Sequence, residues 1–138
     1  MGASDAPRRV NVAEAAHFST EARVNEELMA TRGLVTRMNC YEPGQVTPMH
    51  KHPDEDEILY IVEGNGSVGF EGRDALPVRT GDLVCLPTDQ FHWIEAGPES
   101  RMVLIYFMKP GYKSVRPADR DKDGADDPAI DRLPGERP

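Results

Sequence analysis

The chain has few of the residues that mark disulfide-rich, membrane-spanning or secreted proteins. Its two cysteines, Cys40 and Cys85, each lie in an apolar, strand-like run, so free buried thiols are expected rather than a disulfide or a thiolate zinc site. No apolar run approaches the roughly 18 residues needed to cross a bilayer, so no membrane partner is expected. The N-terminus lacks the uninterrupted apolar stretch of a secretory signal. These absences predict a cytoplasmic protein.

Positive charge is also scarce. The chain carries 16 basic and 24 acidic side chains, for a net charge of −8. The excess lies in residues 1–108, which hold 17 acidic and 9 basic side chains, whereas residues 109–138 hold seven of each. Because binding to a phosphate backbone needs a basic surface, a nucleic-acid partner is not expected.

The middle of the chain is predicted to be all-β. Six β-rich runs are separated by turn signals, and many short strands at close spacing indicate a sandwich or a barrel. The runs are Leu34–Glu42, Glu57–Val62, Ser67–Glu71, Leu83–Leu86, Phe91–Glu95 and Met102–Met108. The second and the last run are apolar at nearly every position, which is typical of strands that are buried on both faces. A second copy of the chain covering the outer face would satisfy this pattern, so a homodimer is expected.

The two ends of the chain differ from the middle. Residues 1–32 have mixed polarity and are predicted to form an irregular N-terminal arm, with a short helix or an edge strand around Ala13–Phe18. Residues 33–110 form the predicted barrel. Residues 111–138 are rich in proline and aspartate and cannot bury enough apolar surface to offset the entropy of ordering. A disordered tail is therefore expected, dispensable for folding and metal binding after about Lys113.

Three histidines and a carboxylate carry the clearest chemical signal. His50 and His52 are two residues apart, so on a strand both imidazoles project from the same face. Glu57 opens an apolar run, and His92 lies much later, within another predicted strand. Such a donor set suits iron(II), manganese, nickel, zinc or copper and leaves coordination positions open. A His-x-His pair by itself is more often a surface pair, so the interpretation depends on the surrounding residues.

The spacing of the surrounding residues resembles the two motifs of the cupin superfamily. The first motif, G-x5-H-x-H-x(3,4)-E-x6-G, is matched at every fixed position by Gly44, His50, His52, Glu57 and Gly64. The second motif, G-x5-P-x-G-x2-H-x3-N, is matched by Gly81, Pro87 and His92. It departs from the pattern at two positions, where Asp89 replaces the glycine and Ala96 the asparagine. Asp tolerates a left-handed turn better than most residues, so Asp89 is compatible with the motif.

The resemblance implies an all-β cupin barrel, also described as a double-stranded β-helix or jelly roll. It implies that His50, His52, Glu57 and His92 bind one divalent metal ion per chain, with iron(II) favoured over manganese, nickel, zinc or copper. Asp56 also fits the variable gap of the first motif, but Glu57 keeps the six-residue spacing to Gly64. Trp93 is expected to point away from the metal, since it follows His92 directly. Candidates for the apolar lining are Met38, Cys40, Leu59, Ile61, Ile94, Leu104 and Tyr106.

Two classes of function fit these features. The first is an enzyme, a mononuclear metal dioxygenase-like oxidoreductase acting on a small, chelating, anionic organic substrate, with no catalytic residue beyond the metal ligands. A lyase or an isomerase that uses the same metal as a Lewis acid is a close alternative. The second class is a non-catalytic module that binds a small molecule or a metal. A sugar-phosphate isomerase is disfavoured, because no group of Lys, Arg and His stands out to hold a phosphate.

Overall fold

Two antiparallel β-sheets form the structure, a computed structural model that describes residues 6–120. One sheet has five strands in the order β1-β2-β9-β4-β7, and the other has four in the order β3-β8-β5-β6. A four-residue helix, α1 (Val12–Ala15), precedes them. The strands are β1 Val24–Ala30, β2 Val35–Tyr41, β3 Val46–His50, β4 Glu57–Glu63, β5 Asn65–Phe70, β6 Arg73–Arg79, β7 Leu83–Leu86, β8 His92–Ala96 and β9 Met102–Met108.

All six predicted strands are present, and three further strands, β1, β3 and β6, complete the barrel. The additional strands carry weak periodic signals. Strand β6 is exposed at six of its seven positions, and both β3 and β6 contain a proline, which usually argues against a strand. Both are edge strands of the four-stranded sheet, where a missing N–H can be tolerated.

The buried apolar side chains form two clusters. The larger cluster fills the barrel and includes Leu59, Ile61, Ile94, Leu104 and Tyr106, as predicted for the lining. The remaining two predicted lining residues, Met38 and Cys40, instead pack on the outer face of the five-stranded sheet, together with Val103. That part of the prediction is wrong, because strand β2 is buried on both faces and its alternation could not reveal which face is inside.

The N-terminal arm covers this outer cluster. Helix α1, capped by the Asn11 side chain at the backbone N–H of Glu14, contributes Val12 and Ala15, and Phe18 follows. The arm ends in a regular strand, since β1 pairs with β2 at the sheet edge with one bulge. The barrel therefore begins earlier than residue 33, and the arm is less irregular than its composition indicates.

The outer face of strand β4 is only partly covered in a single chain. Leu59 and Ile61 are fully buried, whereas Ile58 and Tyr60 are 43% and 38% exposed. The register partner of Tyr60 on β7, Leu83, is 68% exposed. The sequence pattern predicted burial on both faces, which one copy of the chain does not provide for this strand. The homodimer remains a prediction.

The segment after β9 returns to the barrel. Tyr112, Ser114 and Val115 are buried, and Val115 exchanges two backbone hydrogen bonds with Lys51, at 2.9 and 3.0 Å. Residues 111–120 are therefore not a detached tail, because Tyr112 and Val115 bury apolar surface and the backbone finds partners. The rest of the predicted tail, residues 121–138, lies outside the described residues. Within the described part, no helix is long and apolar enough to cross a membrane.

Two motif positions show why the turns need particular residues. Gly64 has φ +91°, and an added Cβ would lie 2.0 Å from the carbonyl oxygen of Arg101. Asp89, at the position where the second motif has glycine, has φ 64° and is the one non-glycine residue with positive φ in the described chain. The expected left-handed conformation of Asp89 is therefore confirmed.

A Gly64→Ala substitution should destabilise the barrel more than Gly72→Ala, a matched control. Both glycines have positive φ, but a Cβ at Gly72 would meet nothing within 4 Å. The left-handed strain of about 1–2 kcal/mol is common to both, and Gly64→Ala adds a steric overlap of about 1–3 kcal/mol. Thermal unfolding measures the difference as a melting temperature lower by several degrees; equal values for the two variants would contradict the close approach of β4 and the Arg101 backbone.

Candidate metal centre

The four predicted site residues lie at one end of the barrel. His50 is the last residue of β3 and His92 the first residue of β8, and the two are register partners. Glu57 is the first residue of β4, on the opposite sheet, and His52 lies in the connection between β3 and β4. The end of one strand and the starts of two others thus lie side by side. All four side chains are buried, with exposures of 1–4%.

The three imidazole rings converge. Each histidine offers a nitrogen, and these three atoms lie within 4.8 Å of one another. The ring centroids are 4.5 to 5.6 Å apart. Glu57 faces the same point, because its Oε1 is 3.2 Å from His52 Nε2 and 3.5 Å from His92 Nε2.

Backbone carbonyls orient all three rings. The Nδ1 atoms of His50, His52 and His92 lie 2.8, 2.7 and 3.1 Å from the carbonyl oxygens of Pro48, Lys113 and Gln90. Because a carbonyl oxygen can only accept, each Nδ1 donates and carries the proton. In the neutral ring the Nε2 lone pair is then directed to the centre of the site, which is the usual arrangement of metal-binding histidines.

The centre brings buried acceptor atoms together. Burial and the neighbouring histidines lower the pKa of His50 and of His92 to about 3, so both rings are neutral near pH 7. Glu57 Oε1 and His92 Nε2 are buried and have no hydrogen-bond partner in the described chain. Facing lone pairs in a buried site are unfavourable unless a cation lies between them. The three histidines could therefore hold a metal ion, and Glu57 adds a fourth, anionic donor beside them.

Comparison with known proteins places these observations in a family. The family model for the cupin domain matches residues 37–108, slightly more than half of the chain, including all four site residues. The chain belongs to the cupin family. Among solved structures, a double-stranded β-helix protein from Klebsiella pneumoniae superposes with a TM-score of 0.70 at 18% identity, covering 77% of this chain and 92% of that one. These structural matches show the fold.

Sequence relatives of this cupin include both binding proteins and enzymes by name. Auxin-binding protein ABP19b from Prunus persica is 30% identical over 49% of this chain and 35% of its own. Gentisate 1,2-dioxygenase from Ralstonia is 27% identical over 63% and 26%. Acireductone dioxygenase from Alcanivorax borkumensis is 37% identical over 41% and 32%. The chain thus spans about a third of the length of the curated relatives it matches.

The alternatives considered for single residues of the cupin resolve clearly. Asp56 lies outside the acceptor cluster; its Oδ1 accepts from the backbone N–H and the hydroxyl of Thr88, and these bonds lower the pKa of the Asp56 carboxyl. Trp93 lies on the opposite face from His92, with its indole packed over the backbone of Gly69. His17 is exposed and paired with Glu26 at 2.9 Å.

Sequence reasoning missed the contribution of the C-terminal segment to the site. Lys113 supplies the carbonyl that orients His52, the Ser114 hydroxyl lies 3.3 Å from the same Nδ1, and the Tyr112 ring packs edge-on against His52 at 5.4 Å. The available signal was two apolar residues, Tyr112 and Val115, in an otherwise polar segment. A backbone acceptor has no signature in the sequence.

Truncation should therefore have two distinct outcomes. A chain that ends at Arg120 keeps the contacts of Lys113 and Val115, so its metal affinity and melting temperature should equal those of the full chain. A chain that ends at Gly111 loses the acceptor of His52 and should bind metal about 10–100-fold more weakly. Competitive titration with a metal indicator measures the metal affinity of both truncated chains. Equal affinities would show that the segment does not support the site.

The metal-free protein should lose stability as the pH falls from about 6.5. The pKa of His50 and of His92 is about 3 in the folded state and near 6.5 when exposed, so between these values the unfolded chain binds more protons. Stability is then highest above pH 6.5 and declines towards pH 3. Urea unfolding in the presence of a chelator at pH 7.5, 6.0 and 5.0 measures how the free energy of unfolding changes with pH.

In that experiment His50→Asn should flatten the slope between pH 6.5 and 5, and His17→Asn, which changes an exposed histidine, should leave it unchanged. The range above pH 5 separates the histidines from carboxyl groups, which titrate lower. A wild-type stability that is independent of pH in this window would contradict the neutral, buried state of the two rings.

Proposed function

We propose that this cupin is a mononuclear metal-dependent dioxygenase-like oxidoreductase that acts on a small organic substrate. His50, His52, His92 and Glu57 would hold one divalent ion, with iron(II) as the favoured metal. The observation that carries the proposal is the buried cluster of acceptors, in which Glu57 Oε1 and His92 Nε2 lack any hydrogen-bond partner in the described chain.

The donor set supports a catalytic rather than a purely structural metal. Structural zinc sites are usually closed by four ligands and rich in cysteine, whereas the free thiols of this chain, Cys40 and Cys85, do not belong to the cluster. Three imidazoles and one carboxylate leave coordination positions of an octahedral ion for other molecules. When bound, iron(II) supplies Lewis acidity and the capacity to activate dioxygen. Two sequence relatives are named as dioxygenases, which favours oxidative chemistry over the alternatives.

The residues of the chain determine which substrates fit. Neutral His50 and His92 contribute no charge, so one carboxylate would compensate only part of the charge of a divalent ion. The site would then attract an anionic substrate that binds the metal through two of its atoms. Leu59 and Ile94, both nearly inaccessible to solvent, are close in sequence to Glu57 and His92 and give the interior an apolar floor. In such surroundings the attraction between opposite charges is stronger than in water.

Metal content and oxygen uptake test the proposal. Protein loaded anaerobically with iron(II) should bind one equivalent, and His92→Ala and Glu57→Gln should lower this to a small fraction, while His17→Ala keeps the full content. On exposure to oxygen with diketones, hydroxy acids, thiols and catechols, at least one compound should be consumed with stoichiometric oxygen uptake. Tight binding of a compound without oxygen uptake, with every metal tried, would favour the binding-module function instead.

A further inference from the structure

Polar side chains line part of the barrel interior. Strands β1, β2 and β9 direct five polar side chains inward, here called the polar wall: Asn25, Glu27, Arg37, Asn39 and Tyr106. Their inward direction follows from their neighbours on β2, since Val35 and Tyr41, which alternate with Arg37 and Asn39, belong to the interior cluster. Apolar side chains of the larger cluster lie beside them on the same strands, such as Leu104 on β9.

The register of the strands places Arg37 at the metal end of the barrel. Arg37 pairs with Tyr106, and Tyr106 pairs with Leu59, which is two residues from Glu57 on the same face of β4. Arg37 therefore lies two strands away from Glu57 and is displaced by two residues along the strand direction. At the usual strand spacing the two backbones are about 12 Å apart. Both side chains extend into the interior of the barrel.

Arg37 is buried, and no acidic residue of the described chain forms an ion pair with it. The side chain is 7% exposed, and two of its nitrogens donate to the same oxygen, Oδ1 of Asn25, the Nε at 2.8 Å. The third nitrogen has no hydrogen bond to any residue of the described chain. Asn25 is itself held by Asn39 Oδ1 at 2.6 Å and by the Tyr106 hydroxyl at 2.8 Å. Burying a guanidinium without a carboxylate is costly, and the bonds to Asn25 fix its direction.

Glu27 faces the same space, without an ion pair to Arg37 in the described chain. The two residues are register partners on β1 and β2, at the bulge of that pair. Oε2 of Glu27 is nonetheless buried without a hydrogen-bond partner in the described chain. The wall thus presents an open donor site on Arg37 beside an open acceptor site on Glu27. A ligand that matches both would carry an anionic group and a hydrogen-bond donor next to it.

We propose that the polar wall is the substrate-recognition surface of the barrel, where Arg37 binds the carboxylate of a small hydroxy acid and Glu27 accepts a hydrogen bond from its hydroxyl group. The role of the bound acid as a substrate rests on the proposed function, whereas its binding does not require catalysis. A carboxylate suits Arg37, because the planar guanidinium matches its two oxygens.

The electrostatics of the interior agree with an anionic ligand despite the net charge of −8. Arg23, which is 4% exposed and bound to the Thr47 hydroxyl at 2.6 Å, lies close enough to His50 to contribute to the low pKa of that ring, and so does Arg116. Arg23 and Arg116 thus add positive charge near His50, which the sequence did not reveal. Charges in a partly buried site are screened less than those on the surface.

Paired ligands test the proposal on the whole protein. Salicylate, mandelate and malate are each compared with the corresponding amide and with the deoxy acid (benzoate, phenylacetate and succinate). Isothermal titration uses metal-free protein and protein loaded with zinc(II), which does not activate oxygen. We expect at least one hydroxy acid to bind at least tenfold more tightly than its amide, and severalfold more tightly than its deoxy acid.

The variants identify the residues responsible. Arg37→Gln should reduce the preference for acid over amide at least tenfold, Arg37→Lys should restore part of it, and Glu27→Gln should reduce only the preference for the hydroxyl group. Arg79→Gln, at an exposed position of β6, removes the same charge outside the interior and should change nothing. Equal binding of acids and amides to the wild type in both metal states would overturn the proposal, even if Arg37→Gln failed to fold.

A preference that persists in folded Arg37→Gln would also overturn it, since the metal or another arginine would then bind the carboxylate. Metal content and oxygen uptake are separate readouts. If carboxylate binding depends on Arg37 but no compound is oxidised, the recognition surface stands and the enzymatic function fails. If oxygen is consumed without any role of Arg37, the enzymatic function stands and the proposed recognition surface fails.

Discussion

The structure depends on one electrostatic constraint, the meeting of four acceptor groups in a buried volume. Each of the histidines donates its Nδ1 proton to a backbone carbonyl, which leaves Nε2 as an acceptor facing the others. Glu57 adds a carboxylate oxygen within 3.2 Å of His52 Nε2. Without a cation this arrangement costs free energy, so the barrel stores at one end an unfavourable cluster that its remaining packing must outweigh. The apolar cluster deeper in the barrel supplies that packing.

Both sheets and the C-terminal segment are needed to build the cluster. His50 and His92 come from neighbouring strands of one sheet, Glu57 from the other, and the orientation of His52 depends on Lys113, 61 residues away. Closing the barrel, pairing Lys51 with Val115 and directing His52 inward are consequently parts of one event. The same geometry explains why the N-terminal arm matters, since it covers Met38 and Cys40 on the back of the sheet that carries Glu57.

The interior is divided in a way that matches a site for a small polar molecule. The apolar cluster gives stability, and the polar wall contains Arg37 and Glu27, which are register partners. A barrel selected for stability alone would replace such groups with apolar side chains of similar volume. Their presence beside the acceptor cluster distinguishes this interior from a simple hydrophobic core, and it is the basis of the proposed recognition surface.

The sequence by itself determined the fold class, most of the strands and the four residues of the candidate site, because these depend on local patterns. Alternation and turn residues are short-range properties of a strand and its turns, and the four site residues follow from the resemblance of their spacing to the two cupin motifs. Only the tertiary structure decided which face of β2 is inside, where the chain after β9 goes and what surrounds the site. Strand β2 is covered on both faces, so the alternation of its residues does not show which set points inward. The carbonyl of Lys113 is chemically the same as every other backbone carbonyl. Arg37 likewise reads as an ordinary surface charge until the register of three strands places it inside the barrel, since burial is a property of distant neighbours rather than of the residue itself.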